Sequence, residues 1–99
     1  MSEVCLTLLS SPEVEEKLLD QLLMSMASAV FTSQPAASHG GHLATLDPRE
    51  QVLGRGDAVL IQVLLEAQAA HDLLANLRGQ LHGAGVRYWL TPVLEQGEL

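Results

Sequence analysis

An α+β sandwich is the architecture this sequence predicts: one antiparallel sheet of four strands with two helices on one of its faces. Three observations carry that expectation. Four short apolar runs are separated by two stretches whose leucines recur at helical spacing. The helical stretches fall after the first and third runs, leaving the second and third joined by a long polar connection. With 99 residues, 47% of them hydrophobic, the chain suffices for one core without disulfide or metal staples.

The elements follow in order. Residues 4–9 are a short apolar run and read as the first strand. Ser11, Pro12 and Glu13 then start a helix. Ser11 is placed to cap, Pro12 suits the first helical position, and Glu13, Glu15 and Glu16 complement the helix dipole. Val14, Leu18, Leu19, Leu22, Leu23 and Met26 form one stripe, so the helix is expected over residues 12–26. Residues 29–37, with Val30, Phe31 and Thr32, read as a strand that Pro35 confines to an edge or a bulge. Residues 58–65 are the clearest strand, rich in Val, Ile and Leu. Ala70, Leu73, Leu74, Leu77 and Leu81 make the second helical stripe, with Gly83 as a stop. Residues 86–93 are the last strand and 95–99 a short acidic tail.

Strand, helix, strand, strand, helix, strand is the split β-α-β, ferredoxin-like plan, here expected as a single domain over residues 1–99. Alternation sorts the strands into two faces. Val59, Ile61, Val63 and Leu65 go with Val86, Tyr88 and Leu90, an apolar and aromatic set that should face the helices. Leu60, Gln62, Leu64 and Glu66 go with Arg87, Trp89, Thr91 and Val93. A monomer would leave the leucines, Val93 and Trp89 of this second set wet. Burying a Leu-sized side chain is worth roughly 1.5–3 kcal/mol, and contiguous apolar patches mark interaction sites. An oligomer that packs sheet faces together is therefore expected.

The bulk chemistry excludes several partners. A net charge of −7 opposes nucleic acid, whose phosphates demand a basic face, and disfavours an anionic membrane surface. No apolar run approaches the ~20 residues of a membrane span, so no membrane insertion is expected. The first residues lack a basic region followed by an apolar run and a cleavage site. One cysteine, Cys5, precludes an intrachain disulfide and fits a reducing compartment. A cytoplasmic location is the expectation from both.

The connection over residues 38–57 is the most informative stretch. It is polar and glycine-punctuated, and long loops in compact domains are usually functional or disordered. His39 and His42, separated by two glycines, are candidate ligands for a divalent transition metal such as zinc, copper or nickel. A stable site needs three or four ligands, and the loop adds only Asp47, Glu50 and Asp57. The plainer reading is a solvated polar loop. Within it, residues 47–50 read as a capped helical turn with Asp47 as cap and Glu50 reaching back. Arg55, between Gly54 and Gly56, is a candidate for carboxylate or phosphate, with Arg49 and Arg87 joining it at a cleft between subunits. Against this, the Gly-Arg-Gly run need only turn the chain into the third strand.

Other chemistry-bearing residues are weaker candidates. Cys5 reads as a small buried hydrophobe. His71 and His82 are separated along the second helix by roughly 16 Å of rise and cannot share a metal within one subunit. Residues 66–70, between the third strand and second helix, are acidic at their start and carry no glycine or basic side chain, so phosphate finds little there. A cofactor-free enzyme would need a His or Tyr in a pocket under the helices; Tyr88 is the one tyrosine and no histidine falls on that face. No catalytic residue is assigned.

Phe31-Thr32-Ser33-Gln34, Glu50-Gln51-Val52 with Gly54-Arg55, and the ending Val86-Arg87-Tyr88-Trp89-Leu90-Thr91-Pro92-Val93-Leu94-Glu95 give the chain a family resemblance over nearly its whole length. It resembles the PII-like superfamily of small trimeric signalling proteins, nearest an uncharacterised PII-like group often encoded beside heavy-metal efflux pumps. The resemblance implies a homotrimer with sheets packed inward and ligand clefts between subunits. It also implies a loop between the second and third strands that touches a partner protein, in this group a membrane transport system. An order–disorder shift of that loop on ligand binding would be the mechanism.

Overall fold

The computed structural model describes residues 2–26, 29–40 and 56–99. In chain order the elements are β1 (Glu3–Ser10), α1 (Pro12–Ser25), β2 (Phe31–Ser38), β3 (Gly56–Glu66), α2 (Ala67–Leu81) and β4 (Arg87–Pro92). The four strands form one sheet in the order β2-β3-β1-β4, and every neighbouring pair is antiparallel. This is the ferredoxin-like plan that the order of apolar runs predicts.

Each expected element is present, with boundary shifts of one or two residues. The β2–β3 ladder continues outward to the pair Ser38–Gly56, so Ser38, Gly56 and Asp57 belong to strands and the connection is 39–55. The expected turn at 47–50 lies outside the described residues. Pro35 stands on β2, an edge strand, where a missing N–H costs no ladder bond if it points outward. Ser11 occupies the N-cap of α1, but its side chain makes no capping hydrogen bond; Pro12 at the first position and Glu13 and Glu15 in the first turn mark this helix start.

Register fixes the two sheet faces. On one, Phe31, Val63, Leu6 and Leu90 stand in a row across the strands, and beside them Ser33, Ile61, Leu8 and Tyr88. The helices cover this face. Leu6, Leu8, Ile61 and Val63 pack there with Leu18 and Leu22 of α1 and with Ala70, Leu73, Leu74, Leu77 and Leu81 of α2 to form the core. The whole α2 stripe is buried, as its spacing predicts. On α1 the stripe is narrower than expected: Leu18 and Leu22 are buried, Val14, Leu19 and Met26 are partly so, and Leu23 is 54% exposed. The reason is geometric: Leu22 already faces the sheet, and its next neighbour is turned about 100° away around the helix.

α2 stops where the backbone turns left-handed. Gly83 has φ +79° and Gly85 φ +78°, and the Ala84 N–H donates to the Leu81 carbonyl at 3.0 Å. Gly83→Ala should destabilise by roughly 1–2 kcal/mol through backbone strain alone, because a Cβ there meets nothing within 4 Å. Gly79→Ala, in the interior of α2 and equally open, should stabilise by about 0.5–1 kcal/mol. Chemical denaturation of the pair checks both signs.

Candidate functional site

The second sheet face is left uncovered by the helices. Its rows run Leu64, Cys5 and Thr91; Thr32, Gln62, Thr7 and Trp89; and Gln34, Leu60, Leu9 and Arg87. Leu64 is 45% and Trp89 44% exposed, and Leu9 and Leu60 are half-buried beside them. Thr7 sits in the middle of the face, buried, accepting a hydrogen bond from Gln62 Nε2 at 3.4 Å. Cys5 lies on this open face and is half-buried, so it is not the core residue its apolar run suggested; its Sγ is 3.9 Å from Thr7 Oγ1.

The strand directions gather several candidates at one end of the sheet. The ends of β1 and β2 and the starts of β3 and β4 all lie there, because Ser38 pairs Gly56, Ser10 pairs Val59 and Leu9 pairs Arg87. His39, exposed, leaves this end from the β2 edge. Arg87, also exposed, starts β4 at the opposite edge. Three inter-strand spacings, roughly 14 Å, separate β2 from β4. Arg87 thus stands at the opposite edge of the sheet from His39. His42, Arg49 and Arg55 lie outside the described residues. Among the described residues, no three His, Cys, Asp or Glu side chains are grouped for a metal ion.

Nothing separates β3 from α2. Glu66 ends the strand, Ala67 begins the helix, and the Ala67 N–H donates to the Ser2 carbonyl at 2.9 Å. The connection between α2 and β4 carries Gly83 and Gly85, at the same end of the sheet as Arg87.

That connection borders a groove the sequence reading missed. Between α2 and β4 lies a cavity of about 190 Å³ floored by Leu8, Leu74, Leu77 and Leu81. Arg78 and Tyr88 stand at its rim, with Arg78 Nη2 donating to Tyr88 Oη at 2.8 Å and the guanidinium carbon 5.6 Å from the ring centroid. Tyr88 was expected in the core. It points to the helix face as alternation requires, but β4 is an edge strand and the residue remains 45% exposed. The signal was legible as spacing: Arg78 follows Leu77 and precedes Leu81 in the last turn of α2, so a cation borders the buried stripe.

These features define a class: a ferredoxin-like sheet with one bare, partly apolar face and a long β2–β3 connection, the fold of PII-like and CutA proteins. The chain belongs to a family described as "Protein of unknown function (DUF3240)", whose model matches residues 1–99. A family structure from Shewanella baltica OS155 has 17% identity and TM-score 0.78, covering 100% of this chain and 98% of that one. CPII, a nitrogen regulatory PII-like protein from Thiomonas intermedia K12 bound to ADP, AMP and bicarbonate, has 11% identity and TM-score 0.74, covering 100% and 98%. The periplasmic divalent cation tolerance protein CutA from Archaeoglobus fulgidus has 11% identity and TM-score 0.70, covering 97% and 88%. No curated protein matches the chain significantly. Among the described residues, no helix is long and apolar enough to cross a membrane.

Proposed function

We propose that this chain is a PII-like regulatory protein, not an enzyme, that works as a homotrimer and responds to a small ligand or metal ion through residues 39–55. The whole chain acts as one unit. The observation that carries the reading is the bare sheet face, where Leu64 and Trp89 remain nearly half exposed beside Leu9 and Leu60. Such a face is stabilised by covering it, and copies that cover it in a ring set the β4 edge of one against the β2–β3 hairpin of the next. In that arrangement Arg87 of one copy joins Arg49 and Arg55 of its neighbour around an anionic ligand. His39 and His42 supply imidazoles for a divalent ion. The CPII and CutA likenesses support nucleotide, bicarbonate and divalent cations as the ligands to try first. Ligand binding changes what residues 39–55 present to a partner protein, for which a heavy-metal efflux system is the first candidate in a pull-down.

Calorimetry tests the ligand. Zinc, copper, nickel, ADP and bicarbonate are titrated into the purified protein. Heat from a divalent ion that disappears in the His39→Ala/His42→Ala variant supports the metal version. Heat from ADP that disappears in Arg87→Gln supports the anionic one. Silence from all five ligands removes the sensor reading.

A further inference from the structure

The groove between α2 and β4 has the chemistry of a binding site separate from the bare sheet face and from residues 39–55. Its floor is wholly aliphatic: Leu8 from β1 and Leu74, Leu77 and Leu81 from successive turns of α2. Its rim carries Arg78, Tyr88 and His82, and among the described residues no carboxylate lines it. In a chain of net charge −7 that is a local reversal of sign. Arg78 is held over the opening by Tyr88, through both the 2.8 Å hydrogen bond and the ring face. A guanidinium has five N–H donors, so the bond to Tyr88 leaves donors for an anion. The left-handed backbone at Gly83 and Gly85 forms one wall, where the absence of a side chain keeps the opening clear.

We infer that this groove binds a compact monocarboxylate, an aromatic or short branched acid whose apolar body lies on the leucine floor and whose carboxylate pairs with Arg78. A cavity of about 190 Å³ is smaller than the roughly 300–1,000 Å³ of drug-sized sites, which limits the ligand to a single ring or a short branched chain. The aliphatic floor excludes small hydrophilic anions, which gain nothing from it. The single cation favours one carboxylate over a multiply charged phosphate. The groove is on the helix side of the sheet, so it stays open to solvent when copies join through the opposite face.

Titration of the full chain by calorimetry and by two-dimensional NMR with benzoate tests this, with benzyl alcohol and acetate as controls. Benzoate should saturate in the submillimolar range and shift the amides of Gly83, Gly85 and Tyr88. Benzyl alcohol, which lacks the charge, and acetate, which lacks the body, should each bind at least about tenfold more weakly. Arg78→Gln should weaken benzoate by a similar factor while leaving benzyl alcohol unchanged. Tyr88→Phe should retain benzoate, since it frees the guanidinium and keeps the ring. The proposal fails if benzoate binds no better than benzyl alcohol, if Arg78→Gln leaves it unaffected, or if shifts fall only on β2 and β3. Oligomeric state and the response to metals are unaffected by any of these outcomes, so the proposed sensor role stands or falls separately.

Discussion

Replacing both Leu64 and Trp89 with Glu is expected to leave the chain as a monomer at concentrations where the proposed trimer of the unaltered protein would persist. The two positions flank β1 on the same bare face, Leu64 opposite Cys5 and Trp89 opposite Thr7. Both are only half covered in the isolated chain, so a glutamate at either is tolerated there without burying a charge. In an assembly that closes over this face the same carboxylates would be taken from water without a partner and set against copies of themselves. Breaking association in this way costs several kcal/mol per buried charge, far more than the ~1.5–3 kcal/mol each apolar side chain contributes when covered. Sedimentation velocity reads the result directly. Circular dichroism separates dissociation from unfolding, because the core side of the sheet is untouched. A double variant that stays trimeric places the interface elsewhere.

Leu22→Ala should be among the most damaging single substitutions for the fold itself. Leu22 is fully buried in α1, within the core cluster that holds Leu6, Leu8, Ile61 and Val63. Truncating such a side chain removes its transfer free energy and leaves a cavity, together about 2–5 kcal/mol. For a chain of this size, whose total stability is expected at roughly 5–15 kcal/mol, that is a large share. The denaturant midpoint should fall with little change in slope, measured at fixed protomer concentration because association adds to apparent stability. Leu23→Ala, one residue on and mostly solvent-exposed, should shift the midpoint by no more than about 0.5 kcal/mol. The contrast isolates which side of α1 the sheet needs.

The same pair of leucines shows what periodicity does and does not reveal. Both fit a helical stripe, and only packing decides how wide a stripe the sheet covers. Along α2, where Ala70, Leu73, Leu74, Leu77 and Leu81 recur without an adjacent extra leucine, the pattern and the buried set coincide. Alternation in β3 likewise separates Val59, Ile61, Val63 and Leu65 from Leu60, Gln62 and Leu64 without ambiguity, because a period of two admits only two registers. Cys5 is the counter-example. Alternation sets it with Glu3, Thr7 and Leu9, opposite the Val4, Leu6 and Leu8 face that the helices cover, so a cysteine in an apolar run need not be a core residue.

The candidate site was legible only in part. Glycine and histidine between two strands mark residues 38–57 as a connection, and the charge pattern singles out Arg55 and Arg87 there and beyond. Spacing along the chain cannot say that Arg87 starts a strand at the opposite edge of the sheet from β2. The α2–β4 groove was missed for a related reason. Its floor looks in sequence like ordinary core, and only the edge position of β4 uncovers Tyr88 and opens the space beside Arg78.

By itself the sequence determined the elements, their order and the face each strand residue takes, because helical and strand periods are local properties of neighbouring side chains. Tertiary structure alone decided how much of the α1 stripe is covered, how far apart the two edges of the sheet stand, and that an arginine and a tyrosine ten residues apart meet over a leucine-lined hollow. Those depend on where the sheet ends and on how closely the helices pack against it, and neither is written in any short stretch of chain.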